Sequence, residues 1–137
     1  MIFVVDASIA AAWMLPDERN EVAERLIPNL QSRRGLVPSL FWYEARNLFL
    51  MAERRGRVAT GEAIATMARW RALPLEDAGS GDDRGVLELS IRHELTPYDA
   101  TSLAIAFERK LPLATCDKRL VQAAKREKVE LLGPLAR

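Results

Sequence analysis

Short apolar, β-rich runs alternate with helical segments from one end of this chain to the other, and no other feature restricts its fold so strongly. Ile2-Phe3-Val4-Val5 is apolar throughout and stops at Asp6, the pattern of a strand covered on both faces. An Ala-rich helical segment follows from Ala7 to Leu15, then a charged one from Asn20 to Arg33 that Pro28 kinks or ends, with Gly35 closing it. Leu36-Val37-Pro38 reads as a second strand, with Ser39 placed to cap a helix from Leu40 to Arg55. Thr60 is placed to cap another helix ending near Arg71, and Leu73-Pro74-Leu75 reads as an edge strand because proline donates nothing to a central ladder. Asp82 to Glu94 is amphipathic, with Val86, Leu87, Leu89, Ser90 and Ile91 towards its buried side. Thr96-Pro97-Tyr98-Asp99 opens the next helix with a capping Thr, a first-turn Pro and an acid three residues on, and that helix ends before Pro112. Leu113 to Thr115, Asp117 to Lys128 and Val129 to Leu132 complete the series as strand, helix and strand. Such an order predicts one domain over residues 1–137, a three-layer α/β/α sandwich around a mainly parallel sheet of four to five strands.

Composition narrows the chemistry. A chain of 137 residues builds a core without disulfides, and one Cys and one His exclude a Cys/His zinc site. The apolar stretches fall short of the ~18 residues that a membrane-spanning helix requires, and the N-terminus lacks a secretory pattern, so the expected compartment is the cytoplasm. No Gly-rich phosphate loop is present, and Ser8 has no His partner for a serine hydrolase. His93, near a helix end, is read as a surface or C-capping residue.

Parallel sheets bind ligands beyond the carboxyl ends of their strands. Asp6 and Asp117 each follow a strand, while Glu44 and Asp99 lie in the first turns of two helices, each interrupting an apolar stripe. Each Asp also suits a helix cap, but Glu44 fits no capping pattern and an unpaired carboxylate in a core stripe is costly. Like charges ~4 Å apart repel by about 4 kcal/mol at an effective dielectric of ~20. With no His or basic residue obviously placed to neutralise four acids, the inference is one or two divalent cations, Mg²⁺ or Mn²⁺ by the all-oxygen donor set. Ser8 and Thr115 offer hydroxyls that would orient a carboxylate. A carboxylate-held Mg²⁺ at a sheet rim suits phosphodiester hydrolysis.

Asp6-Ala7-Ser8 after the first strand, Glu44 at a helix head, Tyr98-Asp99-Ala100 and Thr115-Cys116-Asp117 resemble, in order and spacing, the PIN-domain ribonucleases, and among them the VapC-like toxins. The resemblance spans nearly the whole chain. It implies a Mg²⁺- or Mn²⁺-dependent endoribonuclease cutting structured RNA such as tRNA or rRNA, restrained by a VapB-like antitoxin. It would assign Asp6, Asp99 and Asp117 to the metal, directly or through water, and Glu44 to completing the cluster and positioning the attacking water. Which acid acts as base is left open.

With four of the 19 acids set aside, the 20 basic residues outnumber the remaining acids, which suits a polyanionic partner. Lys118 and Arg119, beside Asp117, are the basic residues nearest the expected site. The helix from Leu40 to Arg55 carries a second stripe, Trp42, Ala45 and Phe49, and Trp13, Met14 and Leu15 form a further apolar end. These residues predict a homodimer or an antitoxin groove, with core packing as the other use of each. Two other functions compete. A haloacid-dehalogenase-like phosphatase needs a second Asp where Ser8 stands, and a non-catalytic metal- or partner-binding α/β module would use the acids as caps or around a structural ion.

Overall fold

The computed structural model describes residues 2–15, 34–133 and 135–136. Five short strands, β1 (Phe3–Val5), β2 (Gly35–Val37), β3 (Leu75–Asp77), β4 (Leu113–Ala114) and β5 (Leu131–Leu132), form one sheet in the order β3-β2-β1-β4-β5. Every pairing is parallel. The described helices are α1 (Ala7–Met14), α2 (Phe41–Arg54), α3 (Glu62–Arg71), α4 (Asp83–His93), α5 (Pro97–Arg109) and α6 (Lys118–Arg126). The charged segment expected to be helical between Asn20 and Arg33 lies outside the described residues.

The period-two alternation of a strand explains the layering. Phe3 and Val5 join a cluster with Ile9 of α1, Phe41 and Phe49 of α2 and Trp70 of α3. Val4 joins another with Leu89 of α4, Leu103 of α5 and Leu120 of α6. Each face of the sheet is thus covered by three described helices, which is the expected α/β/α sandwich. Trp13 and Phe41 both pack on the Trp70 ring at 5.8 Å between centroids.

Several local expectations are corrected. Gly35 begins β2 rather than closing a helix, and β3 runs from Leu75 to Asp77 rather than over Leu73 to Leu75, although it is an edge strand as expected. Ser39 does not cap α2; its hydroxyl donates to Asp77 Oδ1 at 2.7 Å, tying the start of α2 to β3. Thr60 does not cap α3 either. Glu53 of α2 instead accepts from the Gly61 and Ala63 amides at 2.9 and 3.0 Å, with Gly61 held at a positive φ. Leu87 and Ile91 face solvent, because α4 buries only the Val86, Leu89 and Ser90 side. Thr96 caps α5 as expected, its hydroxyl accepting from the Asp99 amide.

Candidate active site

The strand order reverses direction between β1 and β4, and Asp6 and Asp117 stand just past the ends of those two strands. Each is the N-cap of the helix that follows. Asp6 accepts from the Ser8 amide and Asp117 from the Leu120 amide, so the capping role is real and fixes both carboxylates at the rim. Glu44 is in the first turn of α2 and Asp99 in the first turn of α5. All four acids line one cavity of about 540 Å³, walled on its apolar side by Leu48, one helical turn from Glu44, and by Leu135, which no motif had singled out.

Two hydroxyls hold Asp6. Ser8 donates to its Oδ2 at 2.6 Å and Thr115 to the same oxygen at 3.1 Å. The same hydroxyl oxygens accept from the backbone, Ser8 Oγ from the Cys116 amide at 2.8 Å and Thr115 Oγ1 from the Asp117 amide at 3.0 Å. With both protons committed to Asp6, the 3.2 Å approach of the two hydroxyls is a contact rather than a further bond. The loop after β4 is thereby fastened to the loop after β1. Among the described residues Asp6 Oδ1 accepts no hydrogen bond.

Electrostatics confirm that these acids sense one another. Burial pushes the Glu44 carboxyl up to about 7, and the charges of Asp6 and Asp99 add to the shift. Burial also raises Asp6, against the hydrogen bonds from Ser8 and Thr115 and with a contribution from Asp117. Asp99 is raised by burial and by Asp117, with Thr96 and Arg119 opposing. The site is not free of protein cations: Lys118 stands on the cavity wall and Arg119 acts on Asp99. Arg119, exposed at the start of α6, gives Asp99 partial relief only, since burial and Asp117 still leave that carboxyl raised.

The side chains surround a space rather than closing on one point: among the described residues no group of three or more His, Cys, Asp or Glu is arranged to hold a metal ion as it stands. The fit to a hard divalent cation is chemical. The donors are carboxylate oxygens, one oxygen of Asp6 is uncommitted, and mutual repulsion is incompletely relieved.

Other expected residues fall elsewhere. Met14 and Leu15 are core and Trp13 packs on Trp70, so that apolar end offers little to a partner. His93 is not on the surface. Its side chain is 4% exposed and its Nε2 lies 2.6 Å from Glu127, which also receives Arg92.

A family model described as PIN domain matches residues 3–126. The chain belongs to the PIN domain family. Ribonuclease VapC3 of Pyrobaculum aerophilum is 32% identical over 125 residues, 89% of this chain and 94% of that protein. Two solved structures share the fold. One is VapBC2 of Rickettsia felis bound to a promoter DNA fragment, with a TM-score of 0.68, 13% identity, and 97% and 98% of the two chains covered. The other is VapC20 of Mycobacterium tuberculosis, described as a toxin cleaving the sarcin-ricin loop, with a TM-score of 0.65, 22% identity, and 90% and 95% covered. In this PIN domain, no helix among the described residues is long and apolar enough to cross a membrane.

Proposed function

We propose that this PIN domain is a metal-dependent endoribonuclease of the VapC type, with Mg²⁺ as cofactor and Mn²⁺ as its substitute. The observation that carries the reading is the meeting of Asp6, Glu44, Asp99 and Asp117, from four separate segments, on one cavity where the strand order reverses. Asp6, Asp99 and Asp117 are the residues to hold the ion, with Glu44 completing the set. When bound, the cation acidifies water and offsets charge on the phosphoryl oxygens.

The chain's own groups do the rest. Ser8 and Thr115 hold Asp6 Oδ2, leaving Oδ1 for ligation. Glu44, at the head of α2 on the cavity wall, is placed to position the attacking water. Lys118 and Arg119 place positive charge beside the acids, where a substrate phosphate would lie.

The kinship with Ribonuclease VapC3 supports the ribonuclease reading; the proposal completes it with a toxin's role, a VapB-like antitoxin as partner, and action in the cytoplasm on structured RNA such as tRNA or rRNA. Ala45 and Phe49 of the stripe expected to meet a partner are fully buried, so the partly exposed Leu48 and Leu50 of α2 take their place as the residues proposed for a homodimer or antitoxin contact.

Asp99→Asn tests the reading, because the Thr96 cap bonds the backbone amide and survives the change. The variant is expected to keep its melting profile and lose at least a hundredfold in Mg²⁺-dependent RNA cleavage; undiminished cleavage would remove Asp99 from the chemistry. Charge reversal at Lys118 and Arg119 is expected to raise KM and flatten its salt dependence. A non-catalytic module would show no cleavage in the wild type either.

A further inference from the structure

A second cavity, of about 320 Å³, borders the same two helix starts that carry Glu44 and Asp99. Its walls include Leu40, Leu87, Pro97 and Tyr98, with Ser80 and Asp83 at polar positions. Leu40 accepts the Glu44 amide through its carbonyl at 3.0 Å and so lies one turn, ~5.4 Å, from that acid on the same helix. Tyr98 directly precedes Asp99 and is 66% exposed. The two cavities are therefore neighbours across α2 and α5, one lined by acids and the other by apolar and aromatic groups.

The lining argues for what fits. Among the described residues no Lys or Arg borders this cavity, so it is not built for phosphate, whereas Lys118 borders the acidic one. An aromatic ring beside Leu and Pro walls, with a carboxylate and a hydroxyl as hydrogen-bond partners, is the chemistry that receives an unpaired nucleobase. Thr101 has no proton to offer, since its hydroxyl donates to the Pro97 carbonyl at 2.6 Å. Asp83 supplies an acceptor for base N–H groups.

We infer that this cavity is a nucleobase subsite in which Tyr98 stacks an unpaired base of the RNA chain whose backbone crosses the acidic cavity. The inference rests on the nuclease reading and deepens it.

Binding separates the two readings. A short 5′-labelled single-stranded oligoribonucleotide and its abasic counterpart are titrated by fluorescence anisotropy, without metal so that no cleavage occurs. The wild type is expected to bind the abasic strand about tenfold more weakly, the size of effect expected for one stacked base. Tyr98→Ala is expected to lose about tenfold on the normal strand and nothing further on the abasic one, with Tyr98→Phe losing less than Tyr98→Ala. Its exposure makes a folding defect avoidable, and a melting curve checks this. Equal affinity of the wild type for both strands, or unchanged affinity of Tyr98→Ala for the normal strand, would overturn the subsite and leave the face to a protein partner. Base discrimination by a wild type that cleaves no RNA with Mn²⁺ would sustain the subsite while sinking the nuclease.

Discussion

Glu44 concentrates the physics of this site in one side chain. Its carboxyl binds its proton more tightly in the folded chain, about 7 against an ordinary 4.5, so unfolding releases a proton between those values. Stability therefore falls as pH rises through that window, and the penalty is complete above about 7. Because the group is half-buried and partly screened by water, the penalty is on the order of 1 kcal/mol. Glu44→Gln in EDTA is expected to melt a few degrees above the wild type at pH 8 and level with it at pH 4, by calorimetry. A difference that does not change with pH would show that burial and the charges of Asp6 and Asp99 do not raise Glu44. Asp6 and Asp117 teach a related lesson: a cap and a site residue are the same side chain here, since capping is what fixes the carboxylate at the rim.

At the level of elements, helix boundaries were legible where the signal is local and lost where a distant group supplies it. Thr96, Pro97 and Asp99 announce the start of α5 within four residues. The start of α3 has no local cap. Glu53, eight residues before Gly61, accepts two of its free amides. Glu53→Ala is expected to destabilise the fold by about 1–2 kcal/mol, the range for losing a cap, read as a lower urea midpoint with unchanged slope; an unmoved midpoint would mean that water replaces the carboxylate fully. The His93 reading failed for the same reason. A helix-end histidine looks exposed in the chain, but the end of α6 brings Glu127 onto it. Glu127 is held below the ordinary range: burial alone would raise it, but the Arg92 and His93 bonds outweigh that.

For the whole molecule, the decisive feature is the reversal of strand order between β1 and β4. It opens a crevice at the ends of two adjacent strands and lets α2 and α5 present Glu44 and Asp99 from opposite faces of the sheet. A cation held there would bind only the folded chain, so Mn²⁺ is expected to stabilise the fold with the logarithm of its free concentration over Kd, by about 2.7 kcal/mol at a hundredfold excess, and to raise the melting temperature accordingly. Asp6→Asn and Asp117→Asn are expected to lose most of that gain while Asn still caps the helices. An equal Mn²⁺ shift in wild type and both variants would place the ion elsewhere.

The linear order of residues determined the alternation of strand and helix, the two-faced burial of β1 and the four rim acids, because hydrophobic period and capping act over a few residues. Tertiary structure alone decided how large a cavity the acids line, that both hydroxyls grip the same oxygen of Asp6, and that Arg119 acts on Asp99 from another helix. Charge interaction and hydrogen bonding depend on distances of a few ångströms, and residues a hundred positions apart acquire such distances only when the sheet assembles.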